Sequence, residues 1–255
     1  MKYLKLLFYP ILLLVVQFII IFVFTLIFNS SATVEINTLE YNQQLSVFLN
    51  NYKLFTTLIT AIIIIPLVIK KIDKPHEKPK NILNLIIIGM SFSLTFNLLL
   101  FSLNKPFNFT NLFDDSSKNI IITLICTGII GPILEELIFR GVVYSNLKKF
   151  TNTTKSMIIT GLIFGIFHGN IIQFIYAFLF NIVLVKAYDR DNNILNPIIV
   201  HMSANSIITL SLFIIRKLNI YLSIISFIIF LIIFIITMYK YNKPEQNKSV
   251  NISNC

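Results

Sequence analysis

The chain contains several apolar runs long enough to cross a hydrocarbon layer of about 30 Å, beginning with residues 6–28. Inside lipid, backbone N–H and C=O groups find no water, so a spanning segment must satisfy them internally as a helix. This predicts an all-α fold, a polytopic transmembrane bundle of about eight helices. Spans are expected near residues 4–28, 54–69, 82–103, 119–147, 156–170, 171–188, 194–215 and 219–239. The intervening polar stretches are shorter than about 25 residues, too short to bury a core of their own. Function must therefore reside in the spans or their connections. Within 156–188 the stretch "HGNIIQ" reads either as a break between two short helices or as a kink in one re-entrant unit.

The first run follows Lys2 and Lys5, as in a signal peptide. Its apolar core exceeds the roughly 7–15 residues of such segments and no A-x-A site follows, so it reads as a retained helix. The formal charge of +10 raises nucleic acid as a partner. The lysines instead cluster beside apolar runs and form no basic face, which excludes that class. With the N-terminus inside, 15 of the 21 Lys and Arg residues fall on cytoplasmic segments, five on the opposite side, and Arg140 within a span. This bias predicts a multi-pass protein of the cytoplasmic membrane with both termini cytoplasmic. No internal repeat is evident, which disfavours an inverted-repeat transporter. Cys126 and Cys255 make neither a disulfide framework nor a metal-ligand spacing. His76 sits in the basic loop "KKIDKPHEKPK", most simply a solvated connection.

Three polar clusters interrupt the apolar spans. The first, in "GPILEELIFRG", holds Glu135, Glu136 and Arg140. In a helix Glu136 and Arg140 share a face, whereas Glu135 is turned by about 100° from its neighbour, so Arg140 can neutralise Glu136 and leave Glu135 available. The second, "FGIFHG", puts Phe164 and His168 four apart, and Gly161, Gly165 and Gly169 form a small-residue stripe for close helix packing. The third, "HMSAN", puts His201 and Asn205 one turn apart on one face. For each cluster an ion pair or an interhelical hydrogen bond is the plain alternative to a functional role. Depth links them. Glu135 lies 13 residues from Lys148, His168 lies 13 from Lys155 and His201 lies 11 from Arg190, so all three stand about 16–20 Å above the basic flank. Independent packing residues have no reason to coincide in depth.

A carboxylate beside a histidine in a partly dry cavity can position and deprotonate a water. Glu135 is the candidate base, with His168 holding the same water and helping to move its proton. His201 and Asn205 can donate to the oxyanion formed when that water attacks a peptide carbonyl. There is no G-x-S-x-G elbow or H-E-x-x-H, and Cys126 lies more than two turns before Glu135.

Glu135-Glu136-x-x-x-Arg140 with Gly141 and Tyr144, then Phe164-x-x-x-His168, then His201-x-x-x-Asn205, resembles the three-motif pattern of the CAAX protease and bacteriocin-processing (CPBP, or Abi) family of intramembrane endopeptidases. The resemblance covers about residues 128–210. It implies about eight helices around a conical catalytic cavity open toward the cytoplasm and the bilayer. It assigns the base to Glu135, its partner to His168, and oxyanion stabilisation to His201 and Asn205. Glu136 and Arg140 fill the remaining motif positions as an orienting ion pair, with Phe164 in support. The family was first described as metalloproteases, and Glu135, His168 and His201 can be written as a His₂Glu zinc site. No partner for the outer nitrogens of the histidines is identifiable in the sequence, so hydrolysis without a metal is favoured over zinc.

The expected organisation is N-terminal helices with a basic loop over 1–118, a catalytic core over 119–215, and a last helix with a basic tail over 216–255. The expected function is hydrolysis of a peptide bond in a membrane-associated peptide or protein, with membrane lipids as the other partner. A noncatalytic scaffold, immunity or peptide-binding protein is the alternative, and a proton-coupled carrier a more distant one.

Overall fold

The computed structural model describes residues 4–32, 35, 36, 38–73, 78–107 and 119–243. Lys2, Lys74, His76, Lys118, Lys248 and Cys255 lie outside the described residues. The described residues form helices joined by short connections, without a strand: α1 (Leu4–Ser31), α2 (Leu39–Asn51), α3 (Lys53–Ile69), α4 (Ile82–Phe107), α5 (Ile120–Lys148), α6 (Thr153–Ile166), α7 (Ile171–Asp191), α8 (Leu195–Ile215) and α9 (Ile220–Asn242). Among the described residues five helices are long and apolar enough to cross a membrane, and α2 with α3, bent by 55°, makes a sixth candidate. The chain is an integral membrane protein built as a helical bundle.

Helix α2 was not expected, because its sequence is polar. Thr38 caps it by accepting from the Tyr41 amide. Tyr41 then buries against Phe28, at 5.6 Å between rings, and its hydroxyl donates to Asn29 Oδ1 at 2.8 Å. Tertiary contact with α1, not apolar length, holds this helix.

The "HGNIIQ" stretch is a true break. Helix α6 ends at Ile166, Gly169 takes φ +77°, and the Asn170 side chain caps α7 by accepting from the Gln173 amide. The glycine stripe therefore splits in role. Cβ atoms at Gly161 and Gly165 would stand 2.9 Å from Asn181 and 2.7 Å from Phe174, so these two let α6 and α7 pack closely. Gly169 meets nothing and serves the turn.

Helix α5 carries two π-helical stretches, Leu124–Ile130 and Phe139–Tyr144, on either side of its glutamates. Such widened turns shift the facing of the residues between them. Helices α4 and α8 cross at Gly89, where a Cβ would fall 2.1 Å from the Val200 carbonyl oxygen. Leu85, Ile88, Ile138, Val143, Leu184 and Ala204 belong to the buried hydrophobic core of the bundle. On the outside, α1 and α9 expose apolar side chains such as Phe18, Phe22, Ile229 and Ile235, as a lipid-facing surface does.

One end of the bundle is polar and cross-linked. Lys148 Nζ meets Asp189 Oδ1 at 2.7 Å, the Tyr144 hydroxyl donates to Asp189 Oδ2 at 2.5 Å, and the Arg190 guanidinium lies 4.3 Å from the Tyr241 ring centroid while donating to the Tyr241 carbonyl. These contacts level the ends of α5, α7 and α9.

Candidate active site

The site is built up from a buried ion pair. Arg140 Nη1 donates to Glu136 Oε1 at 2.7 Å, with both side chains fully buried. Nη2 donates to Asn181 Oδ1 at 3.1 Å, and Asn181 Nδ2 in turn donates to the Met157 carbonyl at 2.9 Å. The guanidinium sits 4.4 Å above the Phe164 ring. A desolvated charge pair survives only with such geometry, because each ion gives up several kcal/mol of hydration. Asn181 was not singled out in the sequence. Its signal was an amide in the middle of an apolar span, where a polar side chain needs a partner.

The imidazole of His201 is wedged between the two glutamates. Its Nδ1 lies 2.6 Å from Glu136 Oε1, and its Nε2 lies 3.9 Å from Glu135 Oε2. The angular offset that separates adjacent helix residues thus becomes an arrangement in which neighbouring carboxylates address opposite nitrogens of one ring. Because Glu136 is paired with Arg140 as a carboxylate, its oxygen accepts and His201 Nδ1 donates. The Nε2 atom is left to accept, and it donates only once the ring carries a second proton. His168 is fixed in the same sense. Its Nδ1 lies 2.8 Å from the Phe164 carbonyl, which can only accept, so the lone pair resides on Nε2.

Asn205 is placed by a consequence of Pro132. A residue at that position would donate its amide to the carbonyl of Thr127 in a π turn or of Gly128 in an α turn, and proline has no N–H. Helix α8 supplies the missing donors: Asn205 Nδ2 reaches the Thr127 carbonyl at 3.0 Å and Ser206 Oγ reaches the Gly128 carbonyl at 3.4 Å.

Glu135, Phe164, His168, His201 and Asn205 line a single cavity of about 310 Å³. Glu136 and Arg140 do not line it, but each contacts a residue that does, Glu136 His201 and Arg140 Phe164. The side chain of Glu135 is 30% exposed, that of His201 only 4%. Glu135 Oε2 is buried without a hydrogen-bond partner, so this carboxylate is aimed at the cavity and not consumed by packing.

One expectation is corrected here. Both histidines do have partners on their outer nitrogens, Glu136 for His201 and the Phe164 carbonyl for His168. That supporting shell suits a metal site, but the inner shell does not. Two ligands of a tetrahedral zinc stand roughly 3.3 Å apart given bonds of about 2.0 Å, closer than the 3.9 Å between Glu135 and His201. Among the described residues no three His, Cys, Asp or Glu side chains are grouped to hold a metal ion.

Comparison with known proteins gives two findings. Residues 117–207 match the family described as Type II CAAX prenyl endopeptidase Rce1-like. The chain is also 29% identical over 96 residues to the Bacillus subtilis (strain 168) protein named "Putative membrane peptidase YdiL". That alignment covers 38% of this chain and 39% of the relative, so the chain spans about two fifths of the length of the curated protein it matches. No solved structure matches it.

Proposed function

We propose, from the premise that residues 117–207 form an Rce1-like core of the CAAX protease and bacteriocin-processing family, that this protein is an intramembrane endopeptidase. Its substrate is a peptide or protein held at the membrane. The observation that carries this reading is the meeting of Glu135, His168, His201 and Asn205, from α5, the α6–α7 turn and α8, around one cavity.

In the proposed reaction a water held between Glu135 and His168 attacks the scissile carbonyl. Glu135 takes the water's proton, and His168 Nε2, whose lone pair is exposed by the Phe164 contact, shares that water as acceptor. Negative charge gathers on the carbonyl oxygen. Asn205 Nδ2 has a second N–H beyond the one given to Thr127 and can donate there. His201 can donate there from Nε2 when both ring nitrogens carry a proton, because Nδ1–H is already given to Glu136. Collapse of the tetrahedral species expels the amine, which receives the proton from Glu135. No covalent enzyme intermediate and no metal enters.

Glu136 and Arg140 act by positioning: they hold His201 in one tautomer and one orientation. The basic bias of the termini and loops orients the protein with its polar, cross-linked end toward the cytoplasm. The test is a Glu135→Gln variant, which keeps the shape and loses the base. Purified variant that cleaves membrane-derived peptides as fast as the native protein refutes the reading. Normal complementation in cells by that variant favours a noncatalytic scaffold.

A further inference from the structure

A second cavity, of about 630 Å³, lies at the polar end of the bundle and shares no lining residue with the one that holds Glu135. Its wall comes from the starts of two helices and the ends of two others. Lys80 stands just before α4, Thr153 opens α6, Lys186 and Arg190 belong to the last turns of α7, and Lys243 lies just past α9. Four of these five are basic, and they come from three separate segments.

Like charges gathered on one wall repel unless something anionic answers them. The two acids of the lining answer only in part, because both are engaged inside the protein. Asp189 is held by residues outside the lining, Lys148 Nζ at 2.7 Å and the Tyr144 hydroxyl at 2.5 Å. Asp191 accepts from Asn196 Nδ2 at 3.2 Å. Arg190 is engaged too, since its guanidinium packs on the Tyr241 ring and donates to the Tyr241 carbonyl, which ties the end of α7 to that of α9. The two outer lysines differ. Lys243 Nζ meets only the face of the Tyr239 ring, at 4.8 Å, and Lys186 is exposed with no polar partner among the described residues.

The helix faces that carry these lysines run on into the lipid-facing surface. Lys186 lies seven residues, about two turns, beyond Leu179 on α7, and Lys243 lies seven beyond Ile236 on α9. Leu179 and Ile236 are exposed apolar side chains, and so is Ile158, next to the lining residue Met157 on α6. A ligand that presents phosphate to the lysines therefore has apolar surface alongside for hydrocarbon chains, which a soluble anion would not use. A lysine near a helix end also extends its head to the interface as a matter of course. That accounts for lysines one at a time, not for four basic groups on one cavity.

We propose that this cavity binds the phosphate-bearing headgroup of an anionic phospholipid, with Lys186 and Lys243 as its outer contacts and the acyl chains against α7 and α9. Its volume lies within the range of about 300–1,000 Å³ that small ligands occupy. A bound headgroup bridges the ends of α7 and α9 and so adds to the link made by Arg190 and Tyr241. The inference depends neither on the endopeptidase reading nor on which face of the membrane the polar end occupies.

The test uses the purified full chain in an uncharged detergent. Its melting temperature is followed as phosphatidylglycerol, phosphatidylcholine with the same acyl chains, or sodium phosphate is added, and the half-saturating concentrations are compared. Phosphatidylglycerol is expected to stabilise the chain at a lower concentration than either of the others. Lys186→Gln should raise that concentration about fivefold, the share of one basic residue facing an anionic headgroup, and Lys186→Gln with Lys243→Gln about 25-fold. Lys149→Gln with Lys155→Gln removes the same charge from the same end outside the cavity and should change it less than about twofold. Because the readout is a concentration, a lower starting melting temperature leaves the comparison intact, and the single variant carries the test if the pair does not fold. Equal sensitivity to the two lysine pairs means diffuse attraction and overturns the proposal, as does equal stabilisation by phosphatidylcholine. Sodium phosphate as effective as phosphatidylglycerol overturns the lipid as the source of the headgroup.

Discussion

Replacing Arg140 with leucine removes the guanidinium that pairs with Glu136 and leaves a shorter, apolar side chain. Glu136 Oε1 loses its 2.7 Å partner inside a fully buried site, and removing one member of such a pair costs about 3–5 kcal/mol. The Asn181 oxygen loses its 3.1 Å donor as well, adding about 1–3 kcal/mol for an unsatisfied buried acceptor. The loss therefore approaches the whole stability of an ordinary domain, about 5–15 kcal/mol. The assay is thermal or denaturant unfolding in detergent, comparing Arg140→Leu, Glu136→Leu and the double variant. The double variant is expected to recover most of the loss from the stranded charge, because two apolar groups replace the pair. It should stay below the native protein by about 1–3 kcal/mol for each of the His201 and Asn181 groups left without partners. Either a loss under about 1 kcal/mol for Arg140→Leu, or a double variant as unstable as the sum of the singles, refutes the coupling described here.

Other outcomes follow from the same geometry. Asn205→Asp keeps the shape but removes the donor to the Thr127 carbonyl, which has no amide partner at Pro132; unfolding should report a loss of about 1–3 kcal/mol, and an unchanged midpoint contradicts the account. Gly89→Ala sets a methyl 2.1 Å from the Val200 backbone oxygen, so α4 and α8 must separate and melting should fall by about 1–3 kcal/mol of stability. Dialysis against a strong chelator should leave peptide cleavage unchanged, since Glu135, His168 and His201 are not grouped as metal ligands. Activity lost to the chelator and restored by zinc would instead support the metal reading.

Apolar length and flanking lysines made most of the helices legible, because satisfying the backbone in lipid leaves few options. Helix α2 escaped that reasoning since Tyr41 and Phe48 hold it through contacts with Phe28. The polar residues that line the cavity could be picked out from the sequence because ionisable groups at membrane depth stand out. Their mutual geometry was not legible. That His201 lies between Glu135 and Glu136, that the Phe164 carbonyl fixes His168, and that Asn181 completes the Arg140 shell all depend on how α5, α6, α7 and α8 meet. The Pro132 effect was half visible. Proline announces a missing donor, but only the fold names Asn205 and Ser206 as the groups that replace it.

The most direct measurement is mass spectrometry of membrane-associated peptides from three matched cultures grown in ¹⁸O-water: cells without the protein, with the native chain, and with Glu135→Gln. The account predicts new C-termini carrying the heavy oxygen only in cells with the native chain. The same labelled termini at equal abundance with Glu135→Gln, or no terminus that distinguishes the native chain from its absence, contradicts it.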